Sequence, residues 1–319
     1  MNVDCLRVSV TNRCNLRCVY CHPLEDCSLI ERDEILQIEE IRRIIRLFAE
    51  CGIKKVRLTG GEPLLRNDIV RLVCELTAIA GIEELTITTN GVFLEPLAAE
   101  LKAAGLKRVN ISVDSMERRV YERMTGFDLL PRVVKGIYRA IDAGLTPVKI
   151  NSVIIKGLNN SQKQIIALAG MSVSLPVAVR FVEYCPTSKF AKPASDYVPN
   201  SEIRKIIERE FGPLSSVSLS NGNGPAAYYK IRNSAGSIGF ISGRSSNFCH
   251  ACSRLRLTSD GKVKPCLYSA CQYNLKQLIR NGADDDEVLE LLREILHRKG
   301  SYTKLNSPAE EFSMQNIGG

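Results

Sequence analysis

No stretch of this 319-residue sequence reaches the roughly 18 consecutive apolar residues that a membrane-spanning helix needs. The N-terminus lacks the charged-then-apolar arrangement of a secretory signal. No segment repeats at solenoid length, which excludes a stacked-repeat architecture. Tryptophan is absent and aromatics make up only 6% of the chain. Twelve cysteines without an export signal lead to the expectation of a reducing, cytoplasmic setting and no membrane attachment. What is present is ordinary for a globular protein: 45% hydrophobic and 24% charged residues, values that argue against wholesale disorder. The length allows one large α/β unit with a smaller domain, or two mid-sized domains. A net charge of +8 favours an anionic partner, whether nucleic acid, nucleotide or acidic protein, and charge alone does not choose among them.

From Leu6 to about Glu183, short β-branched runs alternate with amphipathic stretches. Strands are expected at Leu6–Val10, Lys55–Thr59, Glu84–Thr89, Arg108–Val113, Pro147–Ile154 and Ala178–Glu183. Helices are expected at Glu39–Cys51, Asp68–Ala80, Pro96–Ala104, Pro131–Ala143 and Ser161–Ala169. Gly52, Gly81, Gly105 and Gly144 stand where helices should stop. The alternation predicts βαβ units around a parallel sheet, open or curled into a partial barrel.

Strand parity carries more information, because residues two apart share a face. One face holds Arg7, Ser9, Arg57, Thr59, Thr86, Thr88, Asn110, Ser112, Asp114, Lys149, Asn151 and Arg180. The other holds apolar residues such as Leu6, Val8, Val56, Leu58, Ile87 and Ile111, suited to packing against helices. An ordinary parallel barrel fills its interior with Val, Ile and Leu. Burying unpaired cations there would cost about several kcal/mol each. The lumen is therefore expected to be solvated or built around a ligand with phosphates or carboxylates.

Two cysteine sets flank this region. Cys14, Cys18 and Cys21 follow the first strand at C-x3-C-x2-C spacing, offering three soft thiolates that suit an iron–sulfur cluster, zinc or Cu(I). A structural zinc would need a fourth ligand, whereas three thiolates on a four-iron cluster leave one iron open. Cys249, Cys252 and Cys266 form a second set of three. Here Cys271 could complete a zinc site, and a redox dithiol at Cys249 and Cys252 is a further alternative. Arg254 and Arg256 alternate beside this set as an anion clamp for phosphate or purine edges. At the C-terminal ends of strands two to four stand Gly60-Gly61-Glu62-Pro63, Thr88-Thr89-Asn90-Gly91 and Ser112-Val113-Asp114, where parallel barrels place their chemistry. Past Tyr184 the rhythm breaks at Pro186, Pro193 and Pro199. A helix capped by Ser201 is expected to Phe211, and a last helix after Asp284–Glu287 to His297, its acidic start needing only the helix dipole. The domains are expected at residues 1–185 and 186–319.

The three-cysteine loop, the Gly-Gly-Glu-Pro turn and the hydroxyl residues after strands three and four together resemble the radical S-adenosylmethionine (SAM) superfamily. The C-x2-C-S-R-L-R…C pattern and the ending Asn316-Ile317-Gly318-Gly319 resemble its GTP 3′,8-cyclase (molybdenum cofactor biosynthesis protein A) family over essentially the whole chain. That resemblance implies a partial (β/α)6 TIM-like barrel with a smaller C-terminal α+β domain, two [4Fe-4S] clusters and SAM. Cys14, Cys18 and Cys21 would hold the cluster that binds SAM; Cys249, Cys252 and Cys266 would hold the one that binds GTP. Tyr20, Gly61, Ser112 and Cys185 would contact SAM, Cys185 standing where many relatives have Met. Arg7, Arg57, Thr88, Lys149, Arg254 and Arg256 would hold GTP, and the Gly318-Gly319 tail would reach into the site, although composition alone reads it as a frayed end. The implied reaction forms a 5′-deoxyadenosyl radical, takes hydrogen from C3′ of the GTP ribose and closes a bond to C8. Implied partners are an external electron donor and a downstream cyclic pyranopterin monophosphate synthase; a homodimer is compatible with the sequence.

Two other readings compete. A peptide-modifying radical SAM enzyme with an auxiliary cluster explains the second cysteine set but not the lumen cations. A non-catalytic metal-bearing RNA binder would need a basic surface with exposed aromatics, whereas these cations lie singly within apolar strands, so no nucleic-acid partner is expected.

Overall fold

The computed structural model describes residues 3–21, 30–186, 194–218, 224–246, 249, 252–302 and 317. Six parallel strands arise from the β-branched runs: β1 (Cys5–Ser9), β2 (Lys55–Thr59), β3 (Glu84–Thr89), β4 (Arg108–Ser112), β5 (Val148–Ile154) and β6 (Val177–Glu183). The amphipathic stretches between them form α1 (Ile38–Glu50), α2 (Ile69–Thr77), α3 (Leu94–Ala103), α4 (Arg118–Thr125), α5 (Leu130–Asp142) and α6 (Gln162–Ser174). Leu6, Val8, Val56, Leu58, Ile87 and Ile111 join Ile41, Leu72, Leu101, Ile137 and Leu168 of the helices in one buried core. The expected division into an apolar helix-facing side and a polar inner side therefore holds.

The remaining elements are α7 (Asn200–Phe211), β7 (Ser215–Val217), β8 (Ala227–Lys230), β9 (Ser237–Ile241), β10 (Arg254–Leu257), β11 (Lys262–Lys264), β12 (Tyr273–Asn274), α8 (Leu275–Arg280) and α9 (Asp285–Arg298). Their strands extend both edges of the first six, in the order β12-β11-β10-β1-β2-β3-β4-β5-β6-β9-β8-β7. β10 runs parallel to β1 and β9 parallel to β6, while the outer strands are antiparallel. Among the described residues the result is an α/β sheet of twelve strands, with β7 and β12 as its edges.

Two local expectations are corrected, and one helix is added. α4 was not anticipated, because a short, strongly charged segment carries little apolar signal, yet Tyr121 and Met124 on one face are buried. Ser201 does not cap α7: the helix begins at Asn200, whose amide donates to Glu183 Oε1 at 3.1 Å. Asp284 and its neighbours do more than oppose a helix dipole. Asp284 and Glu287 form a reciprocal capping box, and Asp285 is held by Arg43 Nε of α1 at 2.8 Å and by Arg46.

Candidate active site

Register alone assembles a cationic row across the sheet. Arg256 pairs with Arg7, Arg7 with Arg57, Arg57 with Thr86, and Thr86 with Arg108. Further along the strands, Asn110 pairs with Lys149 and Asn151 with Arg180. All of these except Asn110 line a cavity of about 420 Å3. Its wall includes every residue expected at the SAM end (Tyr20, Gly61, Ser112, Cys185) and at the nucleotide end (Arg7, Arg57, Thr88, Lys149, Arg254, Arg256), together with Cys14, Cys18 and Cys21. Cys249, Cys252 and Cys266 are not among its lining residues; Cys252 and Cys266 lie close enough to Arg256 to interact with it electrostatically.

The charge balance of this cavity is lopsided. Lys55 is paired with Asp4 at 2.9 Å, and Arg108 with Glu84. Among the described residues no carboxylate pairs with Arg7, Arg57, Lys149 or Arg180. Burial, followed by the repulsion of Arg108, Arg180 and Arg57, brings the Lys149 ammonium down to about 7. Burial and neighbouring cations bring Arg256 to about 10 and hold Arg7 well below the usual guanidinium range. Arg57 falls to about 10, again chiefly through burial. Among the described residues, Arg7 Nε, Arg108 Nη1, Arg180 Nε and Asn151 Oδ1 are buried without a hydrogen-bond partner. Such orphaned groups need an explanation, and an anionic, polyoxygenated ligand provides one.

The cysteine loop is fixed from several sides. Gly61 N donates to Thr11 O and Glu62 N to Arg13 O, each at 2.7 Å. Arg17 N and Val19 N donate to Thr125 O and Met124 O at the end of α4. Gly60 and Gly61 line the cavity and also pack closely against the backbone of the cysteine loop. A Cβ on Gly61 would lie 2.2 Å from Arg13 O. Glu62, fully enclosed, accepts from Thr89 Oγ1 and Asn90 N at 2.7 Å and from Leu64 N at 2.9 Å. Burial raises its carboxyl to about 7. Asn90 Nδ2 in turn donates to Asn15 Oδ1 of the loop at 2.8 Å.

Tyr20 Oη donates to Asp114 Oδ2 at 2.7 Å, and Val153 N donates to Asp114 Oδ1 at 2.8 Å. Asp114, raised to about 6 by burial, thereby fixes the aromatic ring beside the three thiols. Strand parity had marked Asp114, but nothing in the sequence indicated its partner. Arg108 was missed altogether, although it shares the parity of Asn110 and Ser112. Tyr268 was missed too: its hydroxyl lies 3.1 Å from Cys185 Sγ on the cavity wall.

Three half-buried sulfurs, Cys14, Cys18 and Cys21, on one cavity wall fit the soft donor set of an iron–sulfur cluster. Burial raises the Cys14 and Cys18 thiols, with Cys21, Asp114 and Cys14 adding to the effect at Cys18. Cys21 N donates to Cys18 O at 2.9 Å and Cys252 N to Cys249 O at 3.1 Å. At the second set the electrostatics reverse: burial opposes ionisation of Cys252, but Arg254 and Lys299 bring its thiol below the ordinary value. Cys271, the competing zinc ligand, accepts from Tyr302 Oη at 3.6 Å. The Gly318-Gly319 tail and Cys27 lie outside the described residues, but Ile317 is buried and its carbonyl accepts from Arg256 Nη1 at 3.3 Å.

Residues 8–169 match the Radical SAM superfamily and residues 177–305 match Molybdenum Cofactor Synthesis C. The chain is 42% identical over 319 residues to a GTP 3′,8-cyclase of Pelotomaculum thermopropionicum, covering 99% of this chain and 98% of that one. It is 42% identical over 318 residues to a GTP 3′,8-cyclase of Moorella thermoacetica, with coverage of 99% and 98%. Among solved structures, Streptococcus suis SuiB bound to S-adenosylmethionine shares the fold with a TM-score of 0.61 at 18% identity. That match covers 86% of this chain and 64% of SuiB.

Proposed function

The chain belongs to the GTP 3′,8-cyclase family of radical SAM enzymes, and from that premise we propose that it converts GTP to (8S)-3′,8-cyclo-7,8-dihydroguanosine 5′-triphosphate, an early step of molybdenum cofactor biosynthesis. The supporting observation is the group of cavity cations without carboxylate partners, Arg7, Arg57, Lys149 and Arg180. Residues 1–185 act as the radical SAM core and residues 186–319 as the part that carries the second cysteine set. Cys14, Cys18 and Cys21 hold the [4Fe-4S] cluster that binds SAM, and Cys249, Cys252 and Cys266 hold the second. When bound, these groups supply one-electron reductive cleavage of SAM and the radical chemistry that follows from it.

The chain's own residues position and shield. Tyr20, held by Asp114, and Gly61, Ser112 and Cys185 line the SAM end. Arg7, Arg57 and Lys149 neutralise the triphosphate, Thr88 supplies a hydroxyl, and Arg254 and Arg256 orient the base. Holding C3′ and C8 of one nucleotide beside the SAM end makes ring closure a matter of orientation, where enclosure has its largest effect. An external reductant, a downstream cyclic pyranopterin monophosphate synthase and a cytoplasmic location belong to the same reading.

Arg254→Ala tests it. GTP binding measured by anaerobic calorimetry should weaken on the order of 10–100-fold, as for loss of a charged hydrogen-bonding group, with iron content unchanged. Equal loss of iron would count against a substrate role for Arg254.

A further inference from the structure

Lys299, immediately after α9, is 2% exposed, a burial that lysine side chains rarely reach without an anionic partner. Among the described residues no carboxylate pairs with it. Its ammonium donates to the carbonyl of Pro265, the residue before Cys266. The negative charges within its reach are sulfurs, those of Cys252 and Cys266, while Arg254 and Arg256 oppose it. A single carbonyl does not compensate a buried ammonium. A helix end could also be sealed by an exposed lysine without that penalty. The burial makes physical sense if the second cysteine set carries net negative charge.

We propose that Lys299 is a charge-compensating positioning residue that sets the electron affinity of the iron–sulfur cluster held by Cys249, Cys252 and Cys266. This rests on the assignment of that set as a cluster site. Reduction adds one negative charge to the cluster, and a fixed cation beside two of its thiolates stabilises the reduced state more than the oxidised one. The effect of burial and fixed charge on iron–sulfur potentials is general; what is specific here is a lysine contributed by the end of α9 from outside the cysteine motif. Arg254 and Arg256 are less free to fill this role, because they also line the cavity.

The test is an EPR-monitored redox titration of the reconstituted full-length chain, comparing wild type with Lys299→Met, Lys299→Gln and Lys299→Arg. A Cys14→Ser/Cys18→Ser/Cys21→Ser chain identifies the second cluster's signal. Removing the charge should disfavour reduction of the second cluster at least roughly tenfold, a fall of about 59 mV for one electron. Iron content and the first cluster's potential should stay unchanged, and Lys299→Arg should restore most of the shift. Selective loss of the second cluster in the Met and Gln variants, with retention in the Arg variant, also supports compensation. An unchanged potential with both clusters intact overturns the proposal alone, as does cluster loss in all three variants, including Arg. Wild-type chain that binds iron only at the first set overturns both the proposal and the assignment beneath it.

Discussion

Gly61→Ala should strip the first cysteine site of its iron, roughly four atoms per chain of the eight in two four-iron clusters, while leaving the second site loaded. The reason is steric and local. A methyl at position 61 would stand 2.2 Å from Arg13 O and 2.5 Å from Arg13 C. Arg13 immediately precedes Cys14, and its carbonyl accepts from Glu62 N. The loop backbone must retreat, carrying the first thiol with it. Overpacking of this kind costs about 1–3 kcal/mol, which a chain of this size should survive, so the variant should fold and still bind GTP. Iron analysis and the visible absorbance of each site check the outcome. Full iron content with wild-type SAM cleavage would show that the glycine is a spectator of loop geometry.

Arg57→Met should weaken GTP binding on the order of 10²–10³-fold and at the same time raise the stability of the nucleotide-free chain. Arg57 faces Arg7, Arg108, Arg180 and Arg254 with only Thr86 Oγ1 at 3.3 Å as a hydrogen-bond acceptor among the described residues. Without an anion, that crowd is mutually repulsive and partly desolvated. An apolar residue of similar length removes the repulsion and keeps the packing, a gain of about 1–2 kcal/mol. With saturating GTP the order should invert, because the wild type then gains the binding free energy that the variant has lost. Thermal unfolding with and without GTP reads both effects. A lower midpoint for the apo variant together with unchanged GTP affinity would make Arg57 a structural residue.

The sheet and the polar lumen were legible because both follow a strict period. Strand residues two apart share a face, so Arg7, Arg57, Lys149 and Arg180 could be placed on one wall without knowing the strand order. The cysteine sets were legible from spacing. Contacts between distant segments carried no such signal. The flanking of β1 by β10, which sets Arg254 and Arg256 in register with Cys5 and Arg7, depends on a pairing between chain ends. The carboxylate of Glu62, read as part of a ligand turn, is consumed by Thr89, Asn90 and Leu64. Nothing in the sequence separates Lys299 from other basic residues that follow a helix. The charged helix α4 was invisible for the opposite reason: its few buried residues are too sparse to form a stripe. Yet its end supports the cysteine loop. Arg108 was legible and overlooked, since parity places it beside Asn110.

The central claim is that this cavity couples SAM cleavage to bound GTP. Anaerobically reconstituted chain, incubated with SAM and dithionite with and without GTP, tests it through the yield of 5′-deoxyadenosine. The account predicts formation that depends on GTP and is accompanied by a new product of GTP mass. Slow formation at the same rate with and without GTP would retain the SAM chemistry and contradict the substrate; none at all with both clusters intact would contradict the enzyme.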